Sequence, residues 1–160
     1  MIGHQSVAEW MSSPPVVVAP SMSLEAAQRL MQQLHVRRLP VVADGQLLGI
    51  ITWGDLRAAQ PSVATTLSIY EWRALLGKVT VAACMTRDPL TIAPNASVLE
   101  AAQLILDHKV SGLLVVADGG VVGVITASDL FRLLLSESGD TERINRERIC
   151  AAPAGGRAVQ

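Results

Sequence analysis

The apolar and polar positions of this chain follow one pattern, and the pattern occurs twice. A short β-branched run, Val16-Val17-Val18-Ala19, stops at Pro20, and apolar residues then recur at helical spacing at Ala27, Leu30, Met31 and Leu34. Two apolar runs, Val36–Val42 and Leu47–Thr52, flank Asp44-Gly45, and a second helix begins near Asp55. An Asp-Gly pair between β-branched runs predicts a hairpin, because its backbone tolerates positive φ. Moving residues 7–57 along by 74 positions lays them on 81–131 without a gap, with 21 of the 51 positions identical.

In the second copy Leu90-Thr91-Ile92-Ala93 stops at Pro94, and Val98, Ala101, Ile105 and Lys109 form the helical stripe. The runs Val110–Val116 and Val121–Thr126 flank Asp118-Gly119, and a helix begins near Asp129. Ser97 and Glu100 have capping-box spacing; Ser23 caps the first copy with no Glu three residues on. Each copy therefore predicts strand, helix, strand, strand, helix. A unit of about 50 residues buries too little surface to be safely stable alone. The copies are expected to pack as one cooperative unit, with any site at their junction.

The boundaries expected are repeat 1 at 7–60, a linker at 61–80, repeat 2 at 81–135 and a tail at 136–160. Pro61-Ser62 starts a turn in the linker. Ile69, Trp72, Leu75 and Leu76 mark one face of a connecting helix ended by Gly77. The pattern dissolves after Leu135, leaving a short helix over Glu142–Arg148 and a frayed end.

Composition narrows the function. The 160 residues are 50% hydrophobic but only 3% aromatic, so the core must come from Val, Leu, Ile and Ala. Thirteen basic against 14 acidic residues, net −1, leave no basic face for nucleic acid. Cys84 and Cys150 form neither a metal pair nor a disulfide framework, and Cys84 aligns with Trp10, which reads as a buried thiol. The N-terminus has no basic segment before an apolar run, and no apolar stretch is long enough for a bilayer; a soluble cytoplasmic protein is expected.

No catalytic residue, metal or required cofactor is expected. His4 is terminal, and His35 and His108 end their helices, where they suit the dipole. No His, Cys and carboxylate cluster has metal spacing, and no Gly-x-Ser-x-Gly elbow occurs. An enzyme acting on nucleotides ranks below other readings, since no activated nucleophile or acid–base pair is supplied. Arg143, Arg146 and Arg148 alternate with Glu142 and Glu147, as in a solvated helix.

The motif with chemical content is Gly-x-x-Thr-x-x-Asp at a strand-to-helix junction, at Gly49, Thr52, Asp55 and again at Gly123, Thr126, Asp129. Two readings stand. A Thr hydroxyl beside free helix amides can hold a phosphate or ribose oxygen, and the Asp can accept a ribose diol. Equally, Thr-x-x-Asp is a good helix start, with Thr as cap and Asp favoured by the dipole.

The repeat order, the strand start Arg38-Leu39-Pro40-Val41-Val42 and the two Gly-x-x-Thr-x-x-Asp endings together resemble a tandem pair of cystathionine β-synthase (CBS) domains over residues 7–135. The linker Pro61-Ser62-Val63-Ala64-Thr65-Thr66-Leu67-Ser68 with Tyr70-Glu71 is similar to that of stand-alone bacterial CBS-pair proteins, including those grouped with acetoin utilisation. The resemblance implies an α+β fold, a tandem CBS-domain pair whose two repeats are related by a pseudo-two-fold axis. It implies a non-catalytic regulatory module that binds AMP, ADP, ATP or S-adenosylmethionine between the repeats and transmits occupancy to a partner. It also implies a homodimer, because CBS pairs resemble discs that stack through exposed helices.

Residue by residue, the resemblance puts Thr52 with Asp55, and Thr126 with Asp129, at the phosphate- and ribose-contacting positions. Val18, Pro20, Ile92 and Pro94 fall at the adenine-contacting strands. Arg37-Arg38 lies against Ser111-Gly112 of the second copy. In related modules basic residues here reach phosphates of a nucleotide anchored by the other repeat, a task suited to the planar guanidinium; a charged, blunted strand edge is the alternative.

The ending Thr126-Ala127-Ser128-Asp129 fits the family pattern, whereas the first copy has Trp53 and Gly54 there. Trp53 either stacks on a base, blocks the cleft or packs into the core. One competent site is expected, built from Thr126, Ser128 and Asp129 with Arg37 and Arg38 opposite, and a Thr52/Asp55 site that is weaker or empty. The competing reading is a ligand-free structural dimerisation and interaction module.

Overall fold

A computed structural model describes residues 4–59 and 68–137. The expected turn at Pro61-Ser62, the helix over Glu142–Arg148 and Cys150 lie outside the described residues.

The chain opens with a single helical turn, α1 (Val7–Trp10), which the apolar pattern does not predict. Helix α2 (Leu24–Leu34) starts where Ser23 Oγ accepts the Ala26 amide at 3.2 Å, and it buries Leu24, Ala27 and Met31. Leu34, assigned to that stripe by spacing, is instead 44% exposed, because the helix ends beside it at left-handed His35. Strands β1 (Arg38–Ala43) and β2 (Gln46–Thr52) form the expected hairpin, with Arg38 opposite Thr52. Asp44 and Gly45 take φ of 51° and 75°, the left-handed pair that a two-residue turn requires.

Helix α3 (Trp53–Ala58) follows directly, and α4 (Ile69–Leu76) is the linker helix, capped by Ser68 and ended by Gly77. Of its predicted face only Leu76 is buried and Trp72 packs against the core; Ile69 and Leu75 are exposed. A second single turn, α5 (Val81–Cys84), leads into β3 (Thr86–Arg87) and β4 (Thr91–Ile92). Then come α6 (Val98–Asp107), β5 (Gly112–Ala117), β6 (Gly120–Thr126) and α7 (Ala127–Glu137), the last running two residues past the expected end at Leu135. Lys109 is not on the α6 stripe: it lies past the helix, exposed, at φ 52°.

The strands form two three-stranded sheets, β1-β2-β3 and β4-β5-β6, each serving its own aliphatic core. The two halves meet through β2 and β6. Their opening segments are exchanged. β3, which opens the second copy in sequence, pairs antiparallel with β2 of the first, Gly49 opposite Arg87. Reciprocally, Ser12 bridges to Val124 of β6. Val81, Cys84 and Met85 pack into the first core, and Val7, Trp10 and Met11 into the second. Cys84 is thus the partly buried thiol that its alignment with Trp10 suggests.

This exchange explains the glycine of the repeated motif. A Cβ on Gly49 would lie 2.5 Å from the Thr86 carbonyl oxygen, and one on Gly123 would lie 2.5 Å from Met11 Sδ and 3.0 Å from the Ser12 oxygen. The glycines admit the incoming segments; a phosphate is not what requires them. Among the described residues, no helix is long and apolar enough to cross a membrane.

Candidate functional site

Each hairpin delivers its motif to a helix start. At the β6–α7 junction Thr126 N and Oγ1 both donate to Asp129 Oδ2 at 2.8 Å. At the β2–α3 junction Thr52 N and Oγ1 both donate to Asp55 Oδ2 at 2.7 Å, and Thr52 Oγ1 accepts the Asp55 amide at 3.2 Å. Thr-x-x-Asp therefore forms a reciprocal capping box at α3, and at α7 the Asp129 carboxylate accepts from Thr126 in the same way. The copies differ in the second carboxylate oxygen: Asp129 Oδ1 accepts from Arg132 Nη1 at 2.7 Å, while Ala58 stands at the position equivalent to Arg132.

Two clefts open between the halves. The first, of about 620 Å³, brings together Thr126, Ser128 and Asp129 of the second copy with Arg37 and Arg38 of the first, the grouping that the family resemblance implies. Its apolar wall is Pro14, Pro15 and Val16. The second cleft, of about 520 Å³, is lined by Thr52, Trp53 and Gly54 with Pro89, Leu90 and Lys109 opposite. Asp55 is not in its lining, although its carboxylate makes the same two bonds to Thr52 that Asp129 makes to Thr126. Both volumes suit a small organic ligand.

The four residues expected around an adenine line neither cleft, a correction with a clear cause. Val18 and Ile92 are buried in the two cores, and the Val18 backbone is spent on Pro40 and Val42. The Pro20 carbonyl accepts the Ala82 amide at 3.0 Å and the Pro94 carbonyl accepts the Ala8 amide at 2.9 Å, fastening the exchanged turns. The segments just before them, at Pro14–Val16 and Pro89–Leu90, take the wall positions instead.

Arg38 crosses from one half to the other. Its Nη2 donates to Ser111 Oγ at 2.7 Å, and Nη1 lies where a Cβ on Gly112 would be only 2.5 Å away. The missing side chain at Gly112 is thus what gives Arg38 its place. Partial burial pulls the Arg38 pKa down, and the charge of Asp129 pulls it back up. A guanidinium remains protonated regardless. Arg37 is exposed, and Trp53 both packs against the first core and lines the second cleft.

Arg132 and Ser111 were not singled out by the motif, although both line the first cleft. Arg132 was legible as an opposite charge one helical turn after Asp129; Ser111 carried no signal beyond facing Arg37 in the alignment. Among the described residues no group of three or more His, Cys, Asp or Glu is placed to hold a metal.

Comparison with known proteins agrees with this arrangement. The structure resembles that of a protein described as acetoin utilization protein AcuB from Vibrio cholerae, 30% identical, with 87% of this chain and 96% of that one covered and a TM-score of 0.70. It resembles the CBS domain pair of protein MJ0100, solved with 5-methylthioadenosine and S-adenosyl-L-methionine, at 27% identity, 83% and 98% coverage and a TM-score of 0.69. It also resembles CBSX2 of Arabidopsis thaliana in complex with AMP, at 31% identity, 83% and 98% coverage and a TM-score of 0.67.

In sequence the chain is 34% identical to a CBS domain-containing protein of Dictyostelium discoideum, over 81% of this chain and 90% of that one. It is 32% identical to the inosine-5'-monophosphate dehydrogenase of Korarchaeum cryptofilum over 72% of its own length, but spans only 21% of that enzyme. The CBS domain family model matches residues 7–62 and 81–136, so the chain belongs to the CBS domain family and carries the domain as a tandem pair.

Proposed function

We propose that this CBS pair is a regulatory module that binds an adenosine-containing ligand in the Thr126–Asp129 cleft and passes its occupancy to a partner. The observation that carries the reading is the approach of Arg38 from one repeat to the Asp129 motif of the other, in one cleft with Thr126, Ser128 and Arg37. The AMP complex of CBSX2 and the S-adenosyl-L-methionine complex of the MJ0100 pair support the ligand class. The expected roles are ribose contact by Asp129, phosphate contact by Thr126, Ser128, Arg37 and Arg38, and base contact by the Pro14–Val16 wall. The Thr52 cleft is the weaker one, since Trp53 and Gly54 line it where the other has Ala127 and Ser128, and Asp55 does not. No catalytic role is proposed.

A ligand touching both repeats favours their closed arrangement and so shifts the population a partner meets. At a hundredfold excess over its dissociation constant it adds about 2.7 kcal/mol of stability, or roughly 5–10 °C in melting temperature. The test is calorimetric titration with AMP, ADP, ATP and S-adenosylmethionine on the wild type, Asp129→Ala and Arg37→Ala/Arg38→Ala. Binding that Asp129→Ala abolishes, with phosphate preference lost in the arginine variant, is the expected result. No heat and no melting shift with any of the four ligands would remove the proposal.

A further inference from the structure

The two clefts are not independent chambers. Arg37, Arg38 and Ser111 line both of them, and of these Arg38 is the half-buried one, bridging from β1 to the start of β5. Gly112 stands at the Arg38 position of the second copy, and Ser111 at that of Arg37. Where two-fold symmetry would offer a partly buried guanidinium to each cleft, this chain has only that of Arg38 among the described residues lining both, leaning over Gly112 between them, while Arg37 beside it is exposed.

That guanidinium is under-used. It has five donors, and among the described residues its one hydrogen bond goes to a neutral hydroxyl. Among the described residues it has no contact ion pair, and the carboxylate nearest in charge, Asp129, has its free oxygen taken by Arg132. A partly desolvated cation without a contact anion is poorly compensated. It meets a phosphate best through paired, parallel donors, a fork that one phosphate fills.

We propose that Arg38 is a single phosphate anchor shared by the two clefts, so that phosphorylated ligands bind them anticooperatively whereas an unphosphorylated nucleoside does not. The inference rests on the nucleoside-binding reading above. A phosphate in the Thr126 cleft holds the Arg38 fork on that side and leaves the Thr52 cleft with the solvent-exposed charges of Arg37 and Lys109. The coupling is reciprocal, as binding linkage demands. The module then holds one phosphorylated nucleotide firmly while its second cleft is open to an adenosyl compound lacking phosphate.

Calorimetry with adenosine and with AMP tests this, read as the ratio of the second dissociation constant to the first. For the wild type the AMP ratio exceeds the adenosine ratio tenfold or more; in Arg38→Met the two ratios agree within about twofold. Should Arg38→Met not fold, Arg38→Lys, which keeps the charge but not the paired donors, narrows the AMP ratio. Equal ratios in the wild type overturn the inference, as does a single adenosine per chain, and neither result touches the functional reading. Absence of binding by both ligands strikes that reading itself.

Discussion

Arg132 covers the one oxygen of Asp129 that the helix cap leaves free, at 2.7 Å, with the arginine side chain 70% exposed and the carboxylate only 5%. The ribose position in the Thr126 cleft is thus guarded by a side chain that can swing into solvent. Removing Arg132 leaves a buried carboxylate with only its bonds to Thr126, so Arg132→Ala costs about 1–3 kcal/mol and lowers the melting temperature by several degrees. It frees Asp129 for a sugar diol, and adenosine binds up to about fivefold more tightly. AMP gains less, because Arg132 also faces the cleft where the phosphate lies. Calorimetry with the two ligands checks the difference.

The exchanged segments give a stability prediction independent of any ligand. Gly49→Ala drives a Cβ against the Thr86 carbonyl, which is backbone and cannot step aside, whereas the nearest atom to a Cβ on Gly123 is the flexible Met11 thioether. Overpacking of this kind costs about 1–3 kcal/mol. Urea unfolding should place Gly49→Ala at the upper end and Gly123→Ala below it. Equal and negligible losses would mean that the crossing segments pack more loosely than the distances require.

Much of this was legible from sequence, and the failures share a cause. The Asp44-Gly45 and Asp118-Gly119 turns carry their own local chemistry, and both hairpins form where it places them. The Thr-x-x-Asp helix starts are equally local. By contrast α1 and α5 are single turns, too short for any period to register, and they exist because the opposite core needs Val7 and Val81. The family resemblance put Val18 and Ile92 beside a ligand; their β-branched side chains go to the cores, and the residues just before them reach the clefts. Arg38 against Gly112 was visible as a difference between copies, but its lean onto Ser111 depends on the packing of the halves.

The linker helix carries an acid-side pH dependence. Glu71 Oε2 accepts the Ser68 amide at 2.8 Å, and that backbone bond, with a smaller contribution from the Ser68 side chain, lowers the Glu71 pKa below the ordinary carboxylate value. A depressed folded-state pKa means stability that is present above the unfolded value and lost as pH falls through the folded one. The protection factors of the α4 amides, corrected for intrinsic exchange at each pH, therefore fall at acid pH in the wild type, and Glu71→Ala removes the effect. A carboxyl titration midpoint for Glu71 at or above the ordinary value would refute it.

The helical faces of the two copies are unequal, and this bears on the homodimer that the family resemblance implies. α6 packs beside α7, and their outer surfaces present Leu99 and Leu106, two turns apart, with Phe131 and Leu134 one turn apart. Leu106 and Phe131 are 71% and 63% exposed. The equivalent residues of the first copy are Glu25, Gln32 and Arg57 at the positions of Leu99, Leu106 and Phe131. An apolar face rimmed by polar surface marks an association site, and here it lies on the second copy alone. Burying a Leu or Phe is worth about 1.5–3 kcal/mol, so Leu106→Asp with Phe131→Asp raises the dimer dissociation constant by roughly two orders of magnitude or more. Gln32→Asp with Arg57→Asp leaves it nearly unchanged. Light scattering across a concentration series separates the two, and a wild type that stays monomeric throughout would dispose of the dimer.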